Sequence, residues 1–376
     1  MADNGDNTVD TAFANAAKAE GILSGSNTLS FPDLDIAKLI MAFLVVEIHT
    51  KPFNDLGSET IARIVSGIDC VAVPFFFIAS GFLCFRGLSI KDFDTRSSAA
   101  AVRVRKNIRK QLSLYAIWTV VLLPLALFGA HLREWGAAET ILRLVRGVVF
   151  VGENDFTWPL WYLLASVVAF LLVYILLRGG VSPRAILLAS GAFLLSGYAI
   201  EACLVWDDAP PAIALMADLY NVVFGSARNG LFEGFFYVAV GMCIGFEWGD
   251  SRSWSPAWAV GGMVPGLAGC ILVSPDAHLP FCALFAVSLF LLCARRIGNK
   301  AHPWARKAST VVYLVHMVFV VIFVYGICGQ TEIGFFGAPI SHMALYTFAL
   351  GCSLLAAAIV IPLGRRFPIV KSVFGV

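Results

Sequence analysis

Two histidines stand inside apolar stretches of this chain: His49 in LDIAKLIMAFLVVEIHT (34–50) and His316 in VVYLVHMVFV (311–320). Imidazole exchanges a proton near neutral pH, and a carboxylate beside it fixes its tautomer and raises its basicity. Lys38 precedes His49 by eleven residues, about three helical turns, so both fall on one helical face ~16 Å apart. Ionisable groups at membrane depth cost several kcal/mol unless they face a protein interior or a watery cavity. The stacked pair therefore marks the wall of a polar path, although a snorkelling Lys38 and an interfacial His49 also account for it. Asp69, Glu201, Arg228 and Glu233 fall near helix ends on the side of His49, where they can join it in an acid–base site. Arg228 and Glu233 are five positions apart, so their direct pairing is left open. The plainer reading makes these separate interfacial residues that touch headgroups and water.

A second cluster is basic. VRVRKNIRKQL (102–112) sets Arg105 and Arg109 at i, i+4 on one face of a helix, where two guanidiniums can grip phosphates in bidentate fashion. A positive anchor against anionic lipid needs no ligand and explains the same charges. Ser80–Gly81–Phe82 is a small, close-packing step within another apolar run.

The elements that must position these residues follow from composition. Apolar residues make up 59% of the 376 and charged residues 14%, against roughly 25% in a soluble domain, so the chain reads as a polytopic all-α membrane protein. Apolar runs predict ten transmembrane helices, at 34–50, 68–85, 112–130, 158–177, 184–203, 230–247, 255–273, 279–294, 308–327 and 342–363. Residues 1–30 read as a disordered cytoplasmic tail without the pattern of a signal peptide, 31–366 as the membrane domain, and 367–376 as a second cytoplasmic tail. Outside the spans, twenty Lys and Arg fall on the side of the basic run and six on the other. The positive-inside rule then puts both termini in the cytoplasm. The nine cysteines show no CxxC or metal spacing and read as packing residues, with only Cys203 and Cys328 placed to pair outside. No metal and no nucleic acid is expected.

These pieces, in order, resemble the acyltransferase family 3 of multispanning membrane proteins. The resemblance rests on Lys38-x10-His49, where the family usually has Arg-x10-His, and on PFFFIASGFL (74–83) and VRKNIRKQLSLYAIW (104–118). It continues through WPLWYLL (158–164), RNGLFEGF (228–235) and VVYLVHM (311–317). It implies transfer of an acyl group, usually acetyl from cytoplasmic acetyl-CoA, to a hydroxyl of an extracytoplasmic glycan or lipid-linked sugar. His49 then carries catalysis, with Glu233 and His316 as further catalytic candidates. Lys38, Ser80, Arg105 and Arg109 are expected around the CoA donor, and Asp69, Trp161, Arg228 and Asn229 around the acceptor. Lys38 is a departure, since an ammonium lacks the planar fork of Arg. The expected setting is a bacterial inner membrane, in the family's stand-alone form, with homo-oligomers left open. Two other classes compete: a transporter or flippase for a polar or lipid-linked solute, and a membrane sensor or scaffold such as the membrane half of an amino-acid racemase. No internal repeat of the transporter kind is evident. Binding and hydrolysis of acetyl-CoA separates the enzyme from both.

Overall fold

The computed structural model describes residues 30–94, 98–246, 256–273, 279–295, 301–334 and 339–376. The expected N-terminal tail, Ser30 apart, lies outside the described residues, as do Arg252, Arg296 and Lys300 of the charge count. Among the described residues the chain is helical throughout, without an extended sheet.

Helix α1 (Pro32–Thr50) opens with a proline at its first position and Asp33 and Asp35 in its first turn. Carboxylates there offset the unpaired N–H groups and the positive end of the helix dipole. It stops at Lys51, which turns left-handed (φ 50°) and returns its N–H to the Glu47 carbonyl. Next, α2 (Glu59–Asp69), capped by the Ser58 hydroxyl, runs into α3 (Ala72–Phe85). Together they make a span of 27 residues, nine longer at its start than the apolar run predicts. The break between them has a covalent cause. Pro74 has no N–H, so the Cys70 carbonyl lacks its helical donor. The Cys282 thiol donates to that carbonyl instead, at 3.1 Å.

Proline also explains the third expected span. Rather than one straight helix at 112–130, the chain forms α4 (Ala99–Val121) and α5 (Leu123–Leu132), bent by 49°. The missing N–H of Pro124 breaks the ladder at that point. A short amphipathic helix α6 (Ala137–Arg146) follows, then α7 (Trp161–Arg178), α8 (Pro183–Leu204) and α9 (Pro211–Phe224). None of the ten predicted spans covers α9. A π-turn at Gly230–Gly234 leads into α10 (Phe235–Phe246). The chain finishes with α11 (Pro256–Leu272), α12 (Leu279–Ala294), α13 (Pro303–Val321), α14 (His342–Arg366) and α15 (Pro368–Phe374).

Among the described residues, five helical stretches are long and apolar enough to cross a bilayer, or six if the bent α4–α5 pair counts as one span, against the ten expected. The other apolar helices are at most 17 residues long, and α1 carries Asp33, Asp35, Lys38 and Glu47. Around the bundle, large apolar side chains such as Leu188, Leu195, Trp258 and Leu355 are exposed, as a lipid-facing surface requires.

Inside, α3 packs most extensively on α10. Gly81 and Gly241 allow it: a Cβ on Gly81 would meet the Val238 backbone, and one on Gly241 the Ile78 and Phe82 backbones. This close approach through small residues is how apolar helices associate where water supplies no driving force. It sets the axis against which α1 packs, and α13 packs in turn on α1 and α14.

We expect Gly241→Val to overpack this contact and lower the melting temperature in detergent, at a cost of about 1–3 kcal/mol. Gly261→Val, where nothing lies within 4 Å of the new methyl groups' attachment, should leave it close to wild type. A second expectation concerns Asp55, which accepts from the N–H groups of His342 (2.9 Å) and Met343 (3.0 Å) and from the Ser341 hydroxyl (2.9 Å). These bonds favour its ionised form and hold its pKa below the usual carboxylate range. The stabilisation is therefore present above the unfolded carboxylate pKa of about 4 and lost as pH falls through the lower folded value. Asp55→Asn should melt below wild type at pH 7, and the gap should narrow once pH falls below about 4.

Candidate active site

Helix α13 brings His316 to His49. The two imidazoles lie face to face, 5.4 Å between centroids and 30° between planes, and Trp158 stacks on His49 at 5.8 Å and 21°. His316 is wholly buried. Its Nδ1 faces two carbonyl oxygens, Val312 at 3.1 Å and Tyr313 at 2.9 Å. Carbonyls only accept, so Nδ1 carries the proton and Nε2 is left as the acceptor. That Nε2 is buried without a partner. A neighbouring donor on the same helix, the Tyr313 hydroxyl, bonds the Pro159 carbonyl, which ties α13 to the turn that carries Trp158. The result is a rigid aromatic clamp around His49 with one unsatisfied basic nitrogen beside it.

Below this clamp opens a cavity of about 660 Å3. Among the described residues, Lys38, Arg103, Lys106, Lys110 and Arg306 line it, and no acidic side chain does. Its inner wall is a ladder of hydroxyls: Ser309, Thr310 and Tyr313 on α13, and Ser80 hydrogen-bonded to Tyr162 at 3.1 Å. On α13 the positions 306, 309–310, 313 and 316–317 fall on one face, so the cavity points up that face toward His316. The charge pattern is sized and signed for a polyanion with an elongated tail.

Lys38 and Ser80, both expected around a donor from the resemblance, line this cavity. Arg105 and Arg109 do not line it. Arg105 donates to the Tyr174 hydroxyl at 3.3 Å, and Arg109 is exposed. The face that turns inward on α4 is Arg103, Lys106, Asn107 and Lys110, at helical spacing. Apart from the apolar face of Ala101, Val104 and Ile108, this part of the helix is basic, so charge spacing alone does not tell the cavity-facing cations from the others. Part of Arg103 is spent on structure, since it donates to the Leu83 (2.8 Å) and Arg86 (3.1 Å) carbonyls at the end of α3.

At the other end of α1, a second cavity of about 370 Å3 is lined by Lys51, Asp69, Glu201, Arg228 and Glu233 among others. Arg228, 66% exposed in its side chain, pairs loosely with Glu233 (3.7 Å) and lies over the Trp161 ring (5.7 Å). Asn229 is not free to meet a ligand: its carbonyl oxygen caps Leu231 (3.0 Å) and Phe232 (3.2 Å), and its amide donates to Tyr220. That cap starts the π-turn holding Glu233, a geometry frequent at functional sites. Glu201 is likewise engaged, accepting from the Ser226 hydroxyl (2.7 Å) and the Ala227 N–H. Sequence reasoning missed Glu153 in the turn before Trp158, where burial pushes its carboxyl up to about 7 against the pull of Arg228. It also missed Trp158 and Tyr313 as partners of the histidines; both lie within motifs it had singled out, WPLWYLL and VVYLVHM.

Three curated proteins give a context for this geometry. The chain is 29% identical over 293 residues to a serine/alanine racemase of Enterococcus gallinarum, covering 75% of this chain and 40% of that protein. It is 25% identical over 355 residues to an amino-acid racemase of Enterococcus faecalis, covering 90% of this chain and 47% of that one. A further amino-acid racemase of Enterococcus faecalis is 25% identical over 209 residues, 54% of this chain and 26% of its own length. The chain thus spans less than half the length of the curated relatives it matches. No solved structure matches it. The family described as "Acyltransferase domain" matches residues 31–362, which takes in α1, both cavities and the histidine pair. By that match the chain belongs to the acyltransferase family 3.

Proposed function

We propose that the protein moves an acyl group, acetyl in the simplest case, from cytoplasmic acyl-CoA to a hydroxyl of an extracytoplasmic glycan or lipid-linked sugar. The observation that carries this reading is the basic cavity, with five cations, no acid and a polar ladder rising toward the histidine pair. The phosphates of CoA would sit among Lys38, Lys106, Lys110 and Arg306, and the pantetheine arm would rise along Tyr313 and Tyr162. In this reading both termini face the cytoplasm and the protein resides in the bacterial cell membrane.

His49 lies on α1 between Lys38, which lines the basic cavity, and Lys51, which lines the smaller one, and it is the proposed catalytic base toward the acceptor hydroxyl or the acyl relay. His316 cannot shift its Nδ1 proton away from the two carbonyls without losing both bonds, so it stays in one tautomer and presents Nε2 as an acceptor. It is suited to hold a proton that leaves His49 or to orient the donor. Trp158 excludes water from one face of His49. On the far side Arg228, Trp161 and Asp69 form the proposed acceptor wall, with Glu233 steering Arg228. The racemase names of the relatives describe those longer proteins. They do not alter the reading of the basic cavity.

The test is acyl transfer and acetyl-CoA hydrolysis in detergent. Lys38→Gln with Lys110→Gln should raise the donor KM by tenfold or more, because each charge-assisted contact is worth ~1.5–3 kcal/mol. Arg105→Gln with Arg109→Gln should raise it far less, since these side chains point elsewhere. His49→Ala should abolish transfer while the protein stays folded. A donor KM that rises with the Arg105 and Arg109 pair and not with Lys38 and Lys110 would refute the cavity as donor site. Wild-type turnover in His49→Ala would refute the catalytic assignment.

A further inference from the structure

The second cavity contains an electrostatic imbalance that the acyl-transfer reading leaves unused. Asp69 is 4% exposed, lines this cavity, and neither of its oxygens finds a hydrogen-bond donor. The group that faces it is a second carboxyl, that of Glu47 on α1, which is 5% exposed and has its own Oε2 unpartnered. Lys51 acts on Asp69 only from a distance, and Arg228 is drawn toward Glu233. Buried polar groups are almost always satisfied, and an unpartnered buried carboxyl is among the most costly groups a fold can retain. Here two of them meet beside an open cavity that Asp69 lines, close enough to share a proton, and a donor from the cavity would satisfy the oxygens that such a proton leaves bare.

We propose that this cavity binds an acceptor bearing an ammonium group, which Asp69 takes as its ionic partner with Glu47 behind it. This rests on the acyltransferase reading and narrows its acceptor to small hydroxyl compounds that also carry an amine, free or as the exposed end of a larger glycan. An ammonium has three donors and a full positive charge, which answers the facing carboxyls better than any neutral hydroxyl does. The cavity, about 370 Å3, lies at the small end of the range that holds such ligands. Its position also fits. Ile48 lines it, and the cations that face His49, Lys51 and Arg228, stand in its wall. An acceptor anchored at Asp69 therefore has its remaining hydroxyls on the His49 side. Asp69 is thus a specificity-determining residue, and Glu47 positions it.

The experiment measures binding of two matched probe pairs to the purified full chain in detergent by calorimetry: D-glucosamine with D-glucose, and L-serine with glycerate. In each pair a hydroxyl replaces the amine. We expect at least one amine to bind at least tenfold tighter than its partner, and Asp69→Asn to remove that difference. Asp69→Asn and Glu47→Gln should also melt no lower than wild type, because each removes an unpaired buried carboxyl. That keeps the binding result readable. Equal binding within both pairs, or an amine preference that survives Asp69→Asn, would overturn the proposal. So would absence of binding by both amines, which would leave a proton shared between the carboxyls as the only compensation. Binding of acetyl-CoA to wild type, measured in parallel, separates the two levels. Its presence with no amine preference refutes this inference alone, and its absence refutes the acyl-transfer reading.

Discussion

The contact between α1 and α13 is the constraint on which the site depends, and its strength comes from how His316 is held. A polar ring inside an apolar bundle has to satisfy at least one nitrogen, and His316 does so on its own helix, through the carbonyls of Val312 and Tyr313. The ring is thereby locked without help from a neighbour, and its other face is free to meet His49. Tyr313 then fastens the same helix to Pro159, so the clamp over His49 is built from three segments distant in sequence. Loosening any one of them would move Trp158, His49 and His316 relative to one another.

Much of this was legible in the residues themselves. Lys38 and His49 do share a helix, His316 does reach His49, and Arg228, Glu233 and Asp69 do gather around one cavity. Those positions stood out because polar groups are rare within apolar runs. Prolines hid the helix boundaries: Pro74 and Pro124 break what hydropathy reads as uniform spans, and α9 falls outside every predicted span. The inward face of α4 was hidden for the opposite reason. Val104 and Ile108 mark an apolar face, but the five basic residues of 103–110 spread over the rest of the circumference, so charge alone does not distinguish those that meet the cavity from the others. Asn229 was misleading in another way: next to Arg228 it resembles a ligand contact, yet its side-chain carbonyl oxygen is consumed in capping a π-turn.

The two cavities treat charge in opposite ways. The basic one spreads five cations over a large, partly wetted volume, where mutual repulsion is screened and an incoming polyanion gains from all of them. The smaller one concentrates its imbalance into two buried carboxyls, where screening is weak and only a close, specific partner helps. A broad field suits capture of a donor from solution. A single buried group suits discrimination among similar acceptors, because a wrong partner leaves that group unsatisfied.

The break between α2 and α3 carries a consequence for how this chain can vary. Pro74 deprives the Cys70 carbonyl of its donor, and the Cys282 thiol from α12 fills the vacancy. Bend and donor are therefore one unit written at two distant positions. In a related chain where position 74 regains an N–H, the carbonyl is satisfied locally and position 282 is released to become any small apolar residue. Where proline persists, position 282 is restricted to side chains that can donate from that depth. The two positions should drift together across the family, and such a coupled pair records helix curvature in an alignment that hydropathy cannot register.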